Sequence, residues 1–401
     1  MLELFKTHRH FIAALLIFYF NTDVILWSGN LGLGPVMYIV QCICFLIFLK
    51  LDNRSKCNAQ ALYCLMLVAL IVGIVHLFSS ETYFYKLFLF SLLFLIIKKT
   101  ELTNIQMSYY QVAFFFALVS IVMYVATNYL GLGTLMPVVF EGGVGETYAT
   151  NFLYAHLTRW TSRNSGIFRE PGVYQIYLNI ALLFYYQINR NKIIDKISAV
   201  FLIAIFTTMS SAGIIIALCI LFYQVIQQKQ RSFSSLLVFA GFGIVAYISI
   251  MANFDAIFYK LMLGTDESMS SFARYYSVSI PLRMWLDYPI FGCGNAEFND
   301  LIGHYPAANG MRLNPFLVTN SWTVIFATSG VFLGGLCFYG ICKGSLRLCS
   351  QFKYPLLVIA IFLTMFSCEG QIYTIIYNLI IIIGLCSPQP FDSGKKRKLE
   401  I

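Results

Sequence analysis

The chain has 401 residues, of which 59% are hydrophobic and only 11% are charged, with a formal net charge of +9. Soluble domains are roughly half apolar and about one-quarter charged, so this composition excludes an ordinary water-soluble fold and asks for a bilayer. Nor does the positive balance point to nucleic acid, because most of it lies in short stretches flanking apolar runs, where membrane topology accounts for it.

Apolar stretches of helix-spanning length recur over 11–28, 33–50, 58–78, 82–98, 108–128, 171–188, 193–209, 211–228, 233–252, 319–342, 353–369 and 371–388. They predict an all-α, polytopic membrane protein with about 12 transmembrane helices. Barrel strands would instead alternate apolar and polar residues. The stretch Lys6-Thr7-His8-Arg9-His10 and the apolar run after it look like a signal peptide, but no small-residue cleavage site follows. Trp27 continues the run, so the first span is expected to stay. The tight pair of spans around Ser210-Ser211 leaves a re-entrant feature open there.

Orientation follows from the basic residues. Lys6 and Arg9, Lys50 to Lys56, Lys98-Lys99, Arg190 to Lys196, Lys229 and Arg231, Lys343 to Lys353, and Lys395 to Lys398 alternate with turns that hold no Lys or Arg. Those turns are Ser28 to Gly32, Ser79 to Thr82, Ser210-Ser211 and Glu369 to Gln371. The positive-inside rule then puts both termini in the cytoplasm and segments 129–170 and 253–318 outside, as two large periplasmic loops of one integrated unit spanning 1–401. Ten of the 11 cysteines lie in or beside spans, which leaves no outer disulfide framework.

The two long segments hold Arg159, Arg163, Arg169, Arg274, Arg283 and Arg312, but of the lysines only Lys260. Arginine presents a permanently charged planar fork that binds phosphate through paired hydrogen bonds, so the segregation points to an anionic substrate. In the first segment, Gly131, Gly133, Gly142, Gly143 and Gly145 suit either a hinge or a surface turn. Pro171 suits the first residue of a helix, which places Arg169 and Glu170 at a helix N-terminus. With Arg163 they make a phosphate seat, or Arg169 and Glu170 make a surface ion pair.

In the second segment, 268–287 has a helical look, and Arg283 and Asp287 have the spacing of a helix-face pair. Arg274 and Arg283 are half a turn out of phase unless Pro281 bends the path. Gly292 and Gly294 permit close backbone approach to a ligand, or a plain turn after Pro289. Gly330 and Gly334 read as helix packing.

At these residues the chain resembles the O-antigen polymerase (Wzy) branch of the O-antigen ligase and polymerase family. The likeness rests on Arg163 to Pro171, on Thr208-Met209-Ser210-Ser211-Ala212-Gly213, on Arg274 upstream of Pro289-Ile290-Phe291-Gly292-Cys293-Gly294, and on Asn320 to Gly334 opening the next helix. It implies an enzyme of the bacterial inner membrane that joins undecaprenyl-diphosphate-linked oligosaccharide repeat units into O-antigen or a related surface polysaccharide on the periplasmic face. Membrane lipids and a polysaccharide chain-length regulator are the further partners it implies.

On that resemblance Arg163, Arg169 and Arg274 bind the diphosphate, with Arg283 next, and Glu170 orients an arginine or takes the acceptor proton. Asp287, Glu297 and His304 are weaker candidates for the base, and Gly292, Gly294 and Asn320 complete the substrate contacts. O-antigen ligases carry a His-Asn type pair where this chain has Thr319-Asn320, and threonine is no base near neutral pH, which favours polymerase over ligase. A lipid-linked oligosaccharide flippase is the transporter alternative, but helix-interior charge is sparse, with Asp23 and Lys86 the clearest cases. No cofactor motif, Asp-x-Asp pair or His/Cys cluster is present, so metal-independent chemistry without a cofactor is expected.

Overall fold

The structure is a computed structural model and describes residues 2–28, 30–142, 146–158, 163–189, 194–227, 268–305, 318–350 and 352–387. The predicted span 233–252 lies outside them, as do Arg159, Lys260 and Arg312. The described chain is mostly helical: α1 (Leu2–Phe18), α2 (Ile25–Ser28), α3 (Gly34–Lys50), α4 (Ala59–Val75), α5 (Thr82–Lys99) and α6 (Leu102–Asn128) come first. A small sheet of β1 (Val138–Glu141), β2 (Thr147–Thr150) and β3 (Ala155–Leu157) follows. Then come α7 (Pro171–Ile188), α8 (Lys196–Thr207), α9 (Ser211–Gln227), α10 (Ser268–Asp287), α11 (Asn295–Leu301), α12 (Ser321–Leu348), α13 (Pro355–Cys368) and α14 (Ile375–Cys386).

Among these, α6 and α12 are long and apolar enough to cross a membrane by length and composition, and α3, α4, α8, α9, α13 and α14 are shorter apolar helices. Each described span of the sequence reading coincides with a helix, but the first one is corrected. Instead of running through Trp27, α1 stops at Phe18 because the Asn21 side chain donates to the carbonyls of Ile17 and Phe18 at 3.0 and 2.9 Å. Capping those orphan carbonyls ends the helix and turns Asp23 into a connection.

The first long segment is a folded element and not an open loop. Its β-branched and aromatic residues pair as an antiparallel meander in the order β1-β2-β3, with Phe140 opposite Tyr148 and Ala149 opposite His156. The sheet packs its inner face on Ile25 and Leu31.

Connections between helices gather into two groups. In one, the Arg54 and Ser55 N–H groups reach the Lys98 carbonyl at 3.0 and 3.1 Å, the Asn58 N–H reaches Cys386 at 2.8 Å, and the Gln106 amide reaches Leu348 at 2.8 Å. In the other, Arg169 N–H reaches the Asp23 carbonyl at 3.1 Å, Asn164 N–H reaches Thr207 at 2.9 Å, and Ser321 Oγ donates to Glu369 at 2.8 Å. Basic stretches fall in the first group, and the first long segment contributes Asn164 and Arg169 to the second.

The second long segment is not wholly peripheral. Helix α10 lies along the first half of α12: Thr323 Oγ1 donates to the Ser277 carbonyl at 3.1 Å, and Trp285 and Phe326 have ring centroids 5.0 Å apart. At Gly330 the backbone of α12 leaves helical geometry (φ 69°, ψ −171°). The break frees carbonyls of the preceding turn, and the chain at 289–294 satisfies them: Cys293 N–H reaches Ala327 at 2.8 Å and Gly294 N–H reaches Thr328 at 3.1 Å. In return Val331 N–H reaches Pro289 at 2.9 Å. At 1.5 Å per residue, the inserted turn sits about 15 Å along α12 from its start.

Gly330 is therefore a seam with this turn, where the sequence suggested helix packing. The helix-packing glycines are Gly340, Gly344 and Gly384: an added Cβ on Gly384 would lie 1.9 Å from the Gly340 oxygen, and one on Gly344 would lie 2.0 Å from the Ile380 oxygen. They let α12 and α14 approach backbone to backbone, and Arg347 caps the end of α14 at Ile383 and Gly384 (2.6 and 2.8 Å).

Gly330→Ala places a Cβ 2.1 Å from the Ile290 oxygen at a φ that L-residues avoid, whereas Gly335 has open space around it. Gly330→Ala should lower stability by about 1–3 kcal/mol or more, and Gly335→Ala should leave it unchanged or slightly raised, in thermal unfolding of the detergent-solubilised chain. Equal melting temperatures for the two variants would contradict the seam.

His156 is buried in the sheet with Nδ1 lacking a hydrogen-bond partner, and burial lowers its pKa. The unfolded chain then binds more protons between the lowered value and the ordinary one near 6.5. The sheet is at full stability above that window and loses it as pH falls through. Hydrogen exchange over 138–157, corrected for its intrinsic rate, should speed up between about pH 7 and pH 5 in the native chain and much less in His156→Gln.

Candidate functional site

The site is built on a strap, residues 164–170, that runs antiparallel to the turn after α1. Ile25 N–H reaches the Ile167 carbonyl at 3.1 Å, and Val24 bridges Phe168. Phe168 is fully buried and anchors the strap, its ring 4.4 Å from that of Tyr177 and 5.4 Å from those of Phe18 and Tyr174. Gly166 takes φ +59°, which a following tight turn requires, and the Asn164 carboxamide accepts its N–H at 2.9 Å. Tyr148 of β2 donates to the Arg169 carbonyl at 2.9 Å, so the sheet fixes the end of the strap.

As the sequence suggests, Glu170 is the N-cap residue of α7 and Pro171 its first helical residue. Arg169 then points its side chain at carboxylates. Nε lies 3.4 Å from Asp23 Oδ1, Nη1 lies 3.7 Å from Glu170 Oε1, and Nη2 donates to the Gly370 carbonyl at 3.4 Å. Burial works against the charge, but Asp23, Glu170 and Glu369 outweigh it, and the guanidinium holds its proton more tightly than free arginine. Asp23 is buried; its carboxylate accepts a further hydrogen bond from the Tyr177 hydroxyl (3.1 Å), and its backbone N–H donates to Asn21 Oδ1 (2.9 Å).

Arg169 forms one wall of a cavity of about 280 Å³ whose other walls come from the start of α5 (Ser80, Thr82), α11 (Asn295, Phe298, Asn299), the first turns of α12 (Asn320, Ser321, Val324, Thr328) and the turn 370–373. Asn295 is a junction: its Nδ2 donates to Thr82 Oγ1 at 3.0 Å and its Oδ1 accepts from Tyr373 at 2.7 Å. Ser321 ties α12 to the 369–371 turn, donating to Glu369 and accepting the Gln371 N–H, both at 2.8 Å. Behind Tyr373, the buried Lys86 ammonium lies 5.5 Å from its ring centroid.

Asn320 caps α12 by accepting the Thr323 N–H at 3.0 Å. That bond fixes which end of the carboxamide is oxygen. The residue is 1% exposed, and its Nδ2 has no partner.

Of the residues singled out in the sequence, the cavity brings together Arg169 and Asn320, with Glu170 adjoining through Arg169. The others lie elsewhere. Arg163 donates through Nε to the Thr208 carbonyl at 3.0 Å, at the C-terminus of α8, where a cation suits the helix dipole. Arg274 falls in α10 with its side chain outside the described structure, and Arg283 is exposed on the same helix.

The expected Arg283–Asp287 pair is not made; Asp287 instead accepts the Tyr305 hydroxyl. Gly292 and Gly294 serve protein packing: added Cβ atoms would meet Ser329 N at 2.4 Å and the His76 ring at 2.9 Å. Both Glu297 and His304 are exposed and line no part of the cavity.

The sequence alone does not single out Asn295, Ser321, Tyr373 or Glu369, nor Asp23 as a counter-ion. A signal existed for two of them, since Asn295 follows Gly294 directly and Glu369 sits in a turn without basic residues. Comparison with protein-family models, with curated proteins and with solved structures finds no match.

If the Asp23–Arg169 pair ties strap to bundle, Arg169→Gln and Asp23→Asn should each lower the melting temperature and together cost less than their sum. The coupling expected is about 0.5–3 kcal/mol, in the lower half of that range because the Arg169 side chain is 32% exposed. Strict additivity in a double-mutant cycle would dissolve the tie.

Proposed function

We propose that this chain is a multi-span membrane enzyme of the bacterial inner membrane that joins undecaprenyl-diphosphate-linked oligosaccharide units on the periplasmic face. The observation that carries the reading is Arg169: a charged guanidinium, oriented by carboxylates, in the wall of a cavity of mixed polar and apolar lining built from both long segments and from turns free of Lys and Arg. The apolar helices and the gathering of basic connections away from that cavity support a topology with the cavity outside and both termini inside, with about 12 crossings.

In the proposed reaction the acceptor hydroxyl forms a bond to the donor's anomeric carbon. The carbon–oxygen bond to the lipid diphosphate breaks, and the diphosphate leaves with the electron pair. The arginines Arg163, Arg169, Arg274 and Arg283 supply positive charge to the donor diphosphate, strongest where water is thin. Glu170 is 46% exposed and adjoins Arg169, and in this reading it takes the acceptor proton from the solvent side. Orientation of two large lipid-linked substrates supplies the rest of the rate.

The test is purified full-length chain supplied with a synthetic undecaprenyl-diphosphate repeat unit. A ladder of lipid-linked oligomers is the expected product, and Arg169→Ala should slow its formation by about 10²–10³-fold. Arg169→Lys should fail to restore it, because lysine lacks the planar fork. Transfer to lipid A-core without a ladder would favour the ligase reading, and full-rate ladders from Arg169→Ala would remove the arginine from the mechanism.

A further inference from the structure

We infer that the cavity beside Arg169 seats one uncharged sugar ring by hydrogen bonding, while the lipid diphosphate stays outside it. The biological role of this seat rests on the glycan-joining reading above, but its chemistry is legible independently. At about 280 Å³ the cavity is at the small end of ligand sites, which run from roughly 300 to 1,000 Å³, so it fits a single small ring and not a whole repeat unit.

Charge argues against phosphate. Arg169 contributes the cavity's guanidinium, but Asp23 at 3.4 Å and Glu170 at 3.7 Å oppose it, and Glu369 adds a third carboxylate acting on it. None of these carboxylates lines the cavity, but they already engage its one charged lining residue among the described residues, so a diphosphate entering here would meet a single guanidinium that is paired elsewhere. Nor is the start of α12 an open anion seat, because the Thr323 N–H is already taken by the Asn320 oxygen at 3.0 Å.

What the cavity offers is neutral donors and acceptors. Asn320 Nδ2 is the sharpest of them: the residue is 1% exposed, lines the cavity, and has no partner for this amide nitrogen. A buried donor left unmatched is costly, and a ring hydroxyl oxygen would satisfy it. Ser80 and Thr82 add hydroxyls, and Tyr373 adds an aromatic wall whose own hydroxyl is spent on Asn295. Planar amides and hydroxyls beside an aromatic side chain match a pyranose, which is polar at its edge and apolar on its faces.

The experiment is saturation-transfer NMR on the full chain in lipid nanodiscs, with the methyl glycosides of glucose, galactose and N-acetylglucosamine as probes, and with methyl glucuronide and inorganic pyrophosphate as charged competitors. At least one neutral glycoside should receive saturation, and neither charged probe should displace it at equal concentration. Asn320→Asp keeps the oxygen that caps α12 and loses the free N–H donor. It should retain the melting temperature while weakening glycoside binding at least fivefold.

Displacement by pyrophosphate, stronger binding of the glucuronide, unchanged binding in Asn320→Asp, or no binding of any neutral glycoside would each overturn the seat. The ladder assay separates this from the enzymatic reading. Ladders without glycoside binding would refute the seat alone, and glycoside binding without ladders would refute the polymerase alone.

Discussion

The pairing of the strap at 164–170 with the turn at 21–25 is the constraint on which the site depends. It combines backbone bonds from Ile25 to Ile167 and from Arg169 to Asp23 with the ion pair between the Asp23 and Arg169 side chains. Burial pushes the Asp23 carboxyl above the usual carboxylate range, and Arg169 with Tyr177 opposes that push. The same arginine is thereby held at the cavity wall and linked to the turn that opens α14. A charge that looks like a liability in a bundle of apolar helices becomes the device that orients the arginine.

The opposite wall depends on a different constraint, the broken helix at Gly330. A helix interrupted in an apolar bundle must find partners for the carbonyls it frees, and the turn after α10 supplies them through Cys293 and Gly294. Once that turn is inserted, α11 returns toward the start of α12 and delivers Asn295 between Thr82 and Tyr373. Gly292 and Gly294, whose freedom reads in the sequence as room for a ligand, are used for fitting protein against protein. Their effect on the site is indirect and runs through Asn295.

The arginines do not converge in the way their shared preference for the long segments suggests. Arg163 closes the end of α8 and Arg169 is oriented by carboxylates, while Arg283 stands exposed on α10. Positive charge is thus spread around the site, and among the described residues the cavity lining itself holds one charged residue, Arg169, already paired with carboxylates outside it. Such a division suits a substrate with a diphosphate at one end and hydroxyl-rich rings at the other, because each end meets the chemistry that binds it without competing for the same groups.

The helices, their order and the start of α7 at Pro171 were legible in the sequence, since apolar length, a proline at the first helical position and the run of basic residues are local signals. The end of α1 was not, because it depends on Asn21 reaching back to two carbonyls. Arg169 and Asn320 could be singled out as chemistry-bearing residues, but their meeting in one cavity could not, nor could the Asp23 partner more than a hundred residues away in the chain. By itself the sequence determined which segments are apolar, which carry arginine, and where helices start. Only the tertiary structure decided which charges neutralise each other, which glycines fit backbone to backbone, and which amide is left without a partner, because these depend on contacts between residues remote in the chain.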